Sequence, residues 1–210
     1  MRPLPGTPLA RCATVAAGVL AIDLVSKLAA VTLLAGRDVP LAGGAWLTTY
    51  YNDTFARGLV LGQWTTAATL ALAVLVLALT WRACAPLARH DLLAPVALGL
   101  LAGATVGNAL DFVRTGRGAV DFLAVPTAEG AIIFNLADVA AYVGVVLLAR
   151  TAVVLARAVV AERRAPARTL VHVTPAATRQ AAREVAVRVP LYVERGVAVA
   201  TAGTPRTEAT

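Results

Sequence analysis

The sequence predicts an all-α membrane protein: four transmembrane helices, a small β element in one long outer loop, and a cytoplasmic C-terminal tail. Composition and segment length carry that prediction. Of 210 residues, 59% are hydrophobic and only 15% charged, with a mean hydropathy of +0.73. A soluble domain is about half apolar and about a quarter charged. Four apolar segments are each long enough, at roughly 17–25 residues, to cross a bilayer as a helix.

The first segment runs from about Cys12 to Ala35. It holds Asp23, Ser26 and Lys27 and has no convincing cleavage pattern, so it reads as a retained helix rather than a signal peptide. Gly36 to Gln63 follows as a long outer connection. Within it, Trp46 to Asn52 is rich in Thr and Tyr, which favours a strand. The second segment, about Trp64 to Trp81, is an almost unbroken Ala/Leu/Val run, and Arg82 to Asp91 is a short inner link. The third covers about Leu92 to Leu110. Its Gly99, Gly103 and Gly107 fall four apart on one face, a spacing that lets helices approach closely. The fourth runs from about Phe134 to Val160. Residues 1–163 thus form a membrane domain and residues 164–210 a basic tail. The tail alternates enough for a short hairpin around Glu194-Arg195-Gly196, against which Pro190 argues; disorder is the equal alternative.

Arginine placement sets the orientation. With both termini cytoplasmic, the inside holds Arg2, Arg11, Arg82 and Arg89, then Arg150, Arg157, Arg163, Arg164 and Arg168. The outside holds only Arg37, Arg57, Arg114 and Arg117. Positive charge collects inside, as membrane proteins prefer. The net charge of +7 is therefore assigned to helix flanks and not to nucleic-acid binding, since aromatic residues make up only 5% and no basic stripe carries stacking residues. Cys12 and Cys84 both fall on the cytoplasmic side, where a disulfide is disfavoured. With His90 and His172 the only histidines, there is no metal-ligand spacing.

Polar groups inside apolar segments are expensive, so each should pair, reach the interface or perform chemistry. Asp23 and Lys27 are four apart on one helix face and can form an internal ion pair. Asn108 and Asp111 close the third segment on the outside, Asp121 follows ten residues later, and Asp138 opens the fourth. Asp121 and Asp138 can therefore meet at one membrane face. Two adjoining carboxyl groups share a proton. The ionised member can deprotonate water while the protonated one polarises a carbonyl, which is amide hydrolysis by general acid–base catalysis. Competing readings remain open at this point. Asn135 and Asp138 can form a helix capping box, and Asp121 can be a solvated loop acid.

Four motifs then recur in order: Asp23-Leu24-Val25-Ser26-Lys27, Gly107-Asn108-Ala109-Leu110-Asp111, Val120-Asp121-Phe122 and Phe134-Asn135-Leu136-Ala137-Asp138. Together they resemble lipoprotein signal peptidase, or signal peptidase II, over about residues 10–160. The resemblance implies an aspartyl protease of the bacterial inner membrane with a small extracytoplasmic β cradle, and the chain is expected to work as a monomer. Such an enzyme removes signal peptides from diacylglyceryl-modified prolipoproteins and needs no cofactor. It implies that Asp121 and Asp138 are catalytic. Asn52, Asn108, Arg114 and Asn135 would handle substrate, and Asp23, Lys27 and Asp111 would be structural polar groups. Two positions depart from the family pattern: Thr54 stands where glycine is usual after Asn52, and Phe112 replaces the arginine usual after Asp111. A paralogue that binds or cuts other lipidated peptides is the first alternative. A small transporter or channel subunit using Asp23, Lys27 and Asp138 as a polar path is the second.

Overall fold

The protein is described by a computed structural model over residues 6–55 and 59–164. The tail hairpin expected around 194–196 lies outside the described residues. The element order is α1 (Pro8–Ala29), β1 (Val39–Pro40), β2 (Trp46–Asn52), α2 (Thr65–Ala88), α3 (Ala94–Thr115), β3 (Ala119–Thr127), β4 (Gly130–Phe134) and α4 (Leu136–Arg164). All four helices are long and apolar enough to cross a membrane.

Local chemistry sets the helix ends. Thr7 caps α1 by accepting from the Ala10 N–H at 3.2 Å, and Pro8 occupies the first turn, where it lacks no needed donor. A π turn over Ala30–Leu34 extends α1 before Ala35 and Gly36 enter the left-handed region and end it. Gly116, at φ 65°, ends α3 in the same way. The helices outrun the apolar segments. α2 continues through Arg82 to Ala88, so the expected inner link from Arg82 begins only after about two further helical turns. Hydropathy marks where a side chain sits, whereas backbone hydrogen bonding carries the helix on past the charge.

α3 is the central helix. Fifty-six per cent of its apolar window is buried in the protein, against 22%, 17% and 11% for α1, α2 and α4, whose apolar side chains point outward. Its glycines explain the α1 contact. A Cβ on Gly99 would come within 2.6 Å of the Cys12 carbonyl, and one on Gly103 within 2.5 Å of the Ala16 carbonyl. Only hydrogen fits at those distances. Cys12 and Cys84 meet beside Leu98 as buried free thiols.

The β element is larger than β2 alone. Four antiparallel strands lie in the order β1-β2-β3-β4. Ala119–Phe134 forms a hairpin in which Thr127 opposes Gly130, so Phe134, expected to open the fourth helix, instead ends β4, and α4 starts at Leu136. The hairpin's apolar and β-branched residues were there to be read, but the Ala128-Glu129 turn carries no Asn-Gly or Asp-Gly signal. Between Leu47 and Tyr50 an extra residue bulges β2, after which Tyr50 opposes Asp121 and Asn52 opposes Ala119. The sheet is seated on the end of α1 through Ala30, Leu34 and Phe122, with Leu47, Leu123 and Leu136 around them.

Candidate active site

Lys27 is the only lysine among 19 basic residues, and it is completely buried. An ammonium has three protons to place. Here they meet Asp23 Oδ2 at 2.7 Å, Asp111 Oδ2 at 2.8 Å and Asn108 Oδ1 at 2.8 Å. Gly107 makes the arrangement possible, since a Cβ there would lie 2.6 Å from Asp23 Oδ2. Asp23 Oδ1 accepts the Ala137 N–H at 2.9 Å, tying α1 to the first turn of α4. Asp111 Oδ2 accepts the Val120 N–H at 3.1 Å, tying α3 to β3. The expected Asp23–Lys27 pair is thus the centre of a network that fixes both segments bearing Asp121 and Asp138.

The chain has three asparagines, and all three stand between these carboxyl groups. Asn135 Nδ2 donates to Asp121 Oδ1 at 2.6 Å and lies 3.0 Å from Asn108 Oδ1. Asn108 Nδ2 donates to Asp138 Oδ1 at 3.0 Å. Asn52 reaches diagonally across the β2–β3 pair and donates from Nδ2 to Asp121 Oδ2 at 3.0 Å. Asp138 and Asn135 also form the capping box read from sequence. The Asp138 N–H donates to Asn135 Oδ1 at 2.9 Å, and Asp138 Oδ2 accepts the Asn135 N–H at 3.2 Å. The cap and the carboxyl cluster coexist: capping orients Asp138, and the helix N-terminus favours negative charge on it.

Asp121 is not a solvated loop acid. It lies in β3 at 1% exposure. Burial pushes its carboxyl up to about 6, with Asp138 adding to the rise, while hydrogen bonds from Asn52 and Asn135 and the charge of Lys27 oppose it. Four carboxyl groups, on Asp23, Asp111, Asp121 and Asp138, face one buried ammonium and the half-exposed Arg114 guanidinium. Burial and this excess of acids raise the proton affinity of Asp121.

Asp121 and Asp138 open onto a groove of about 1200 Å³ that Asn52, Thr54, Asn108 and Phe112 also line. Tyr50, Phe55, Ile132 and Tyr142 give it apolar and aromatic walls. Arg114 instead pairs with Asp111 Oδ1 at 2.9 Å and is not one of the groove-lining residues. Among the described residues no group of three or more His, Cys, Asp or Glu could hold a metal ion. Two features escaped the sequence reading. Thr54 grips Asn52 through both its N–H, at 3.1 Å, and its hydroxyl, at 2.6 Å. Asp91, just before α3, forms a second polar cluster with Arg150 and Thr151 at the middle of α4. The Asp91-Leu92-Leu93-Ala94-Pro95 stretch carried a signal for it, an acid with side-chain reach to the Leu93 N–H just before a helix.

Known proteins resemble this chain. A family profile described as signal peptidase (SPase) II matches residues 15–154. A lipoprotein signal peptidase of Symbiobacterium thermophilum is 37% identical over 131 residues, 60% of this chain and 84% of that protein. One from Mycobacterium avium is 34% identical over 144 residues, 64% and 74% of the two. A solved bacterial membrane enzyme, obtained by the in meso method at 2.3 Å resolution, superposes with a TM-score of 0.58 at 26% identity. The superposition covers 67% of this chain and 85% of that one.

Proposed function

Because the chain belongs to the signal peptidase II family, and so is a multi-pass membrane peptidase, we propose that it is an aspartyl endopeptidase cutting lipid-modified prolipoproteins with Asp121 and Asp138. The observation that carries this reading is the shared setting of the two acids. Three asparagines and one lysine hold them at the mouth of an apolar groove.

The chemistry follows from which acid keeps the proton. Asp138, at a helix N-terminus and accepting two N–H donors, is the base. It takes a proton from water as the water oxygen attacks the scissile carbonyl carbon. Asp121, whose proton affinity burial raises, donates from its protonated form to the carbonyl oxygen. A neutral gem-diol results. Asp138 then passes its proton to the leaving nitrogen, the C–N bond breaks, and Asp121 recovers a proton from the diol. Neither acid becomes covalently attached, and no outside proton is consumed.

The groove supports the proposed substrate class. Its wall of apolar residues suits a signal helix and acyl chains that are already in the bilayer. In this reading the sheet and both acids lie on the outer side, both termini are cytoplasmic, the membrane is the bacterial inner membrane, and the enzyme works as a monomer. Asn52 and Asn108 line the groove, orient the acids and meet the peptide, Asn135, fully buried, orients the acids from behind, and Arg114 steadies Asp111. The polar groups form two separate clusters, one around Lys27 and one around Asp91, instead of a continuous relay through the bundle, which disfavours a transport path.

The test is cleavage of a diacylglyceryl-modified prolipoprotein by the purified protein, with Asp121→Asn and Asp138→Asn beside it. Each variant should lose on the order of 10²–10⁴-fold in turnover while staying folded. Near-normal turnover by either one would remove the dyad.

A further inference from the structure

Thr54 lines the groove and touches neither carboxyl group, yet it makes two contacts to the residue that does. Its backbone N–H and its hydroxyl both reach Asn52 Oδ1, at 3.1 and 2.6 Å. The two ends of a carboxamide are nearly the same shape, so hydrogen bonds decide which one points where. A backbone N–H can only donate. The end of Asn52 facing Thr54 must therefore be its oxygen, and the hydroxyl fills that oxygen's second lone pair. The NH₂ end is left facing Asp121 Oδ2 at 3.0 Å.

The backbone under Asn52 is also fixed. A Cβ on Gly118, whose φ is +103°, would lie 2.1 Å from the Asn52 carbonyl oxygen, so β2 and the start of β3 meet at a distance only glycine allows. With backbone and side-chain oxygen both held, the donor to Asp121 has little room to turn away.

We propose that Thr54 is a positioning residue of the reacting pair, its hydroxyl locking the Asn52 carboxamide so that the NH₂ stays on Asp121. The inference rests on Asp121 being one of the two reacting acids. It also gives this chain's departure at Thr54 a role, since glycine at that position would offer the N–H but no hydroxyl.

The consequence is a set point for the Asp121 proton. The charged groups facing Asp121 are Asp138 on α4 and Lys27 on α1, while Asp111 on α3 holds the neighbouring Val120 N–H and Tyr50 is the register partner on β2. None of these changes when the hydroxyl is removed. The Asn52 N–H favours the carboxylate, so loosening it leaves Asp121 protonated to higher pH.

The experiment compares the unmutated protein with Thr54→Val, which keeps the shape, and Thr54→Ser, which restores the hydroxyl. Two readouts are taken. One is kcat and KM against pH on a diacylglyceryl-modified prolipoprotein. The other is pH titration of the three carboxamide signals in protein labelled with ¹⁵N-asparagine, the Asn52 pair being identified by its absence from Asn52→Ser. In Thr54→Val the alkaline limb should move up by about half a pH unit to one unit. At the optimum, kcat should fall about 3- to 10-fold, with KM changed less than twofold. The Asn52 signal should titrate at the same raised midpoint, and Thr54→Ser should return every value. Superimposable Asn52 titrations in Thr54→Val and the unmutated protein, or no return with serine, would overturn the inference. Because the titration needs no turnover, it decides the lock even if the unmutated protein fails to cut, which would overturn the dyad alone.

Discussion

Two polar clusters sit on the same pair of helices and behave in opposite ways. At the sheet end, Asp23, Asp111, Asp121 and Asp138 gather around Lys27 and the three asparagines. At the other end, Asp91 alone takes Arg150 and the Thr151 hydroxyl, the latter at 2.7 Å. On α4 Asp138 and Thr151 are 13 residues apart, roughly 20 Å of α-helix. The far cluster matches one charge with one charge. Burial there works to raise the Asp91 carboxyl, but hydrogen bonds from Thr151, Arg150 and the Leu93 N–H outweigh it and hold the group below its usual range. At the sheet end acids outnumber cations, and Asp121 goes the other way, up to about 6. A balanced cluster is a tie between helices. An unbalanced one raises the proton affinity of a buried acid.

The sharpest way to break this contrast is to remove the one buried cation. Lys27→Met leaves Asp23 and Asp111 buried without their partner, and the expected cost is about 3–5 kcal/mol. A thermal unfolding series in detergent should show it as the largest loss of any single change outside the acids themselves. A variant as stable as the unmutated protein would mean that the network is not what holds β3 and α4 together.

The pH dependence separates the two ends by sign. Folded Asp121 binds its proton more tightly than the unfolded chain does. Its contribution to stability is therefore complete below the ordinary carboxyl value of 3.8 and is lost as pH rises through about 6. The shift of about two units bounds that loss at about 3 kcal/mol. Asp91 contributes in the opposite window: present above 3.8, lost as pH falls below it. Unfolding midpoints measured from pH 3 to pH 8 should decline at both edges, and Asp91→Asn should flatten the acid edge only. On the catalytic side, kcat/KM should fall above an apparent midpoint of about 6, because the free enzyme then loses the proton that polarises the carbonyl. An alkaline limb unchanged in Asp121→Glu would point to another group.

Smaller effects sharpen the same picture. Arg150→Gln leaves Asp91 with Thr151 and the Leu93 N–H, and Arg150 is 51% exposed, so about 1–3 kcal/mol of stability should go with no change in the pH profile of cleavage. Gly103→Ala forces α1 and α3 apart at the Ala16 carbonyl and should cost about 1–3 kcal/mol by overpacking. If Gly103→Ala also shifted the cleavage profile, the active end would depend on helix spacing well away from it.

Much of this was legible in the chain. Mean hydropathy and segment length gave four spanning helices, and glycines four apart marked the α1–α3 contact, because close approach has a simple residue signature. The ordered motifs named Asp23, Lys27, Asn108, Asp111, Asp121, Asn135 and Asp138 together. Polar residues in an apolar run stand out for the energetic reason that they are costly there. The Asn135–Asp138 cap was likewise readable, being local in sequence.

What the sequence determined by itself was whatever depends on composition or on neighbours within a turn: spans, glycine faces, the cap, and the identity of the polar residues. What only the tertiary structure decided was whatever depends on partners far apart in the chain. The β3–β4 hairpin makes Asp121 a buried strand residue, because the sheet closes over it. Lys27 finds three partners on two helices. Thr54 acts through Asn52 on a carboxyl group 67 residues further along the chain. Burial and charge balance set proton affinity, and both are properties of packing, which no window of sequence contains.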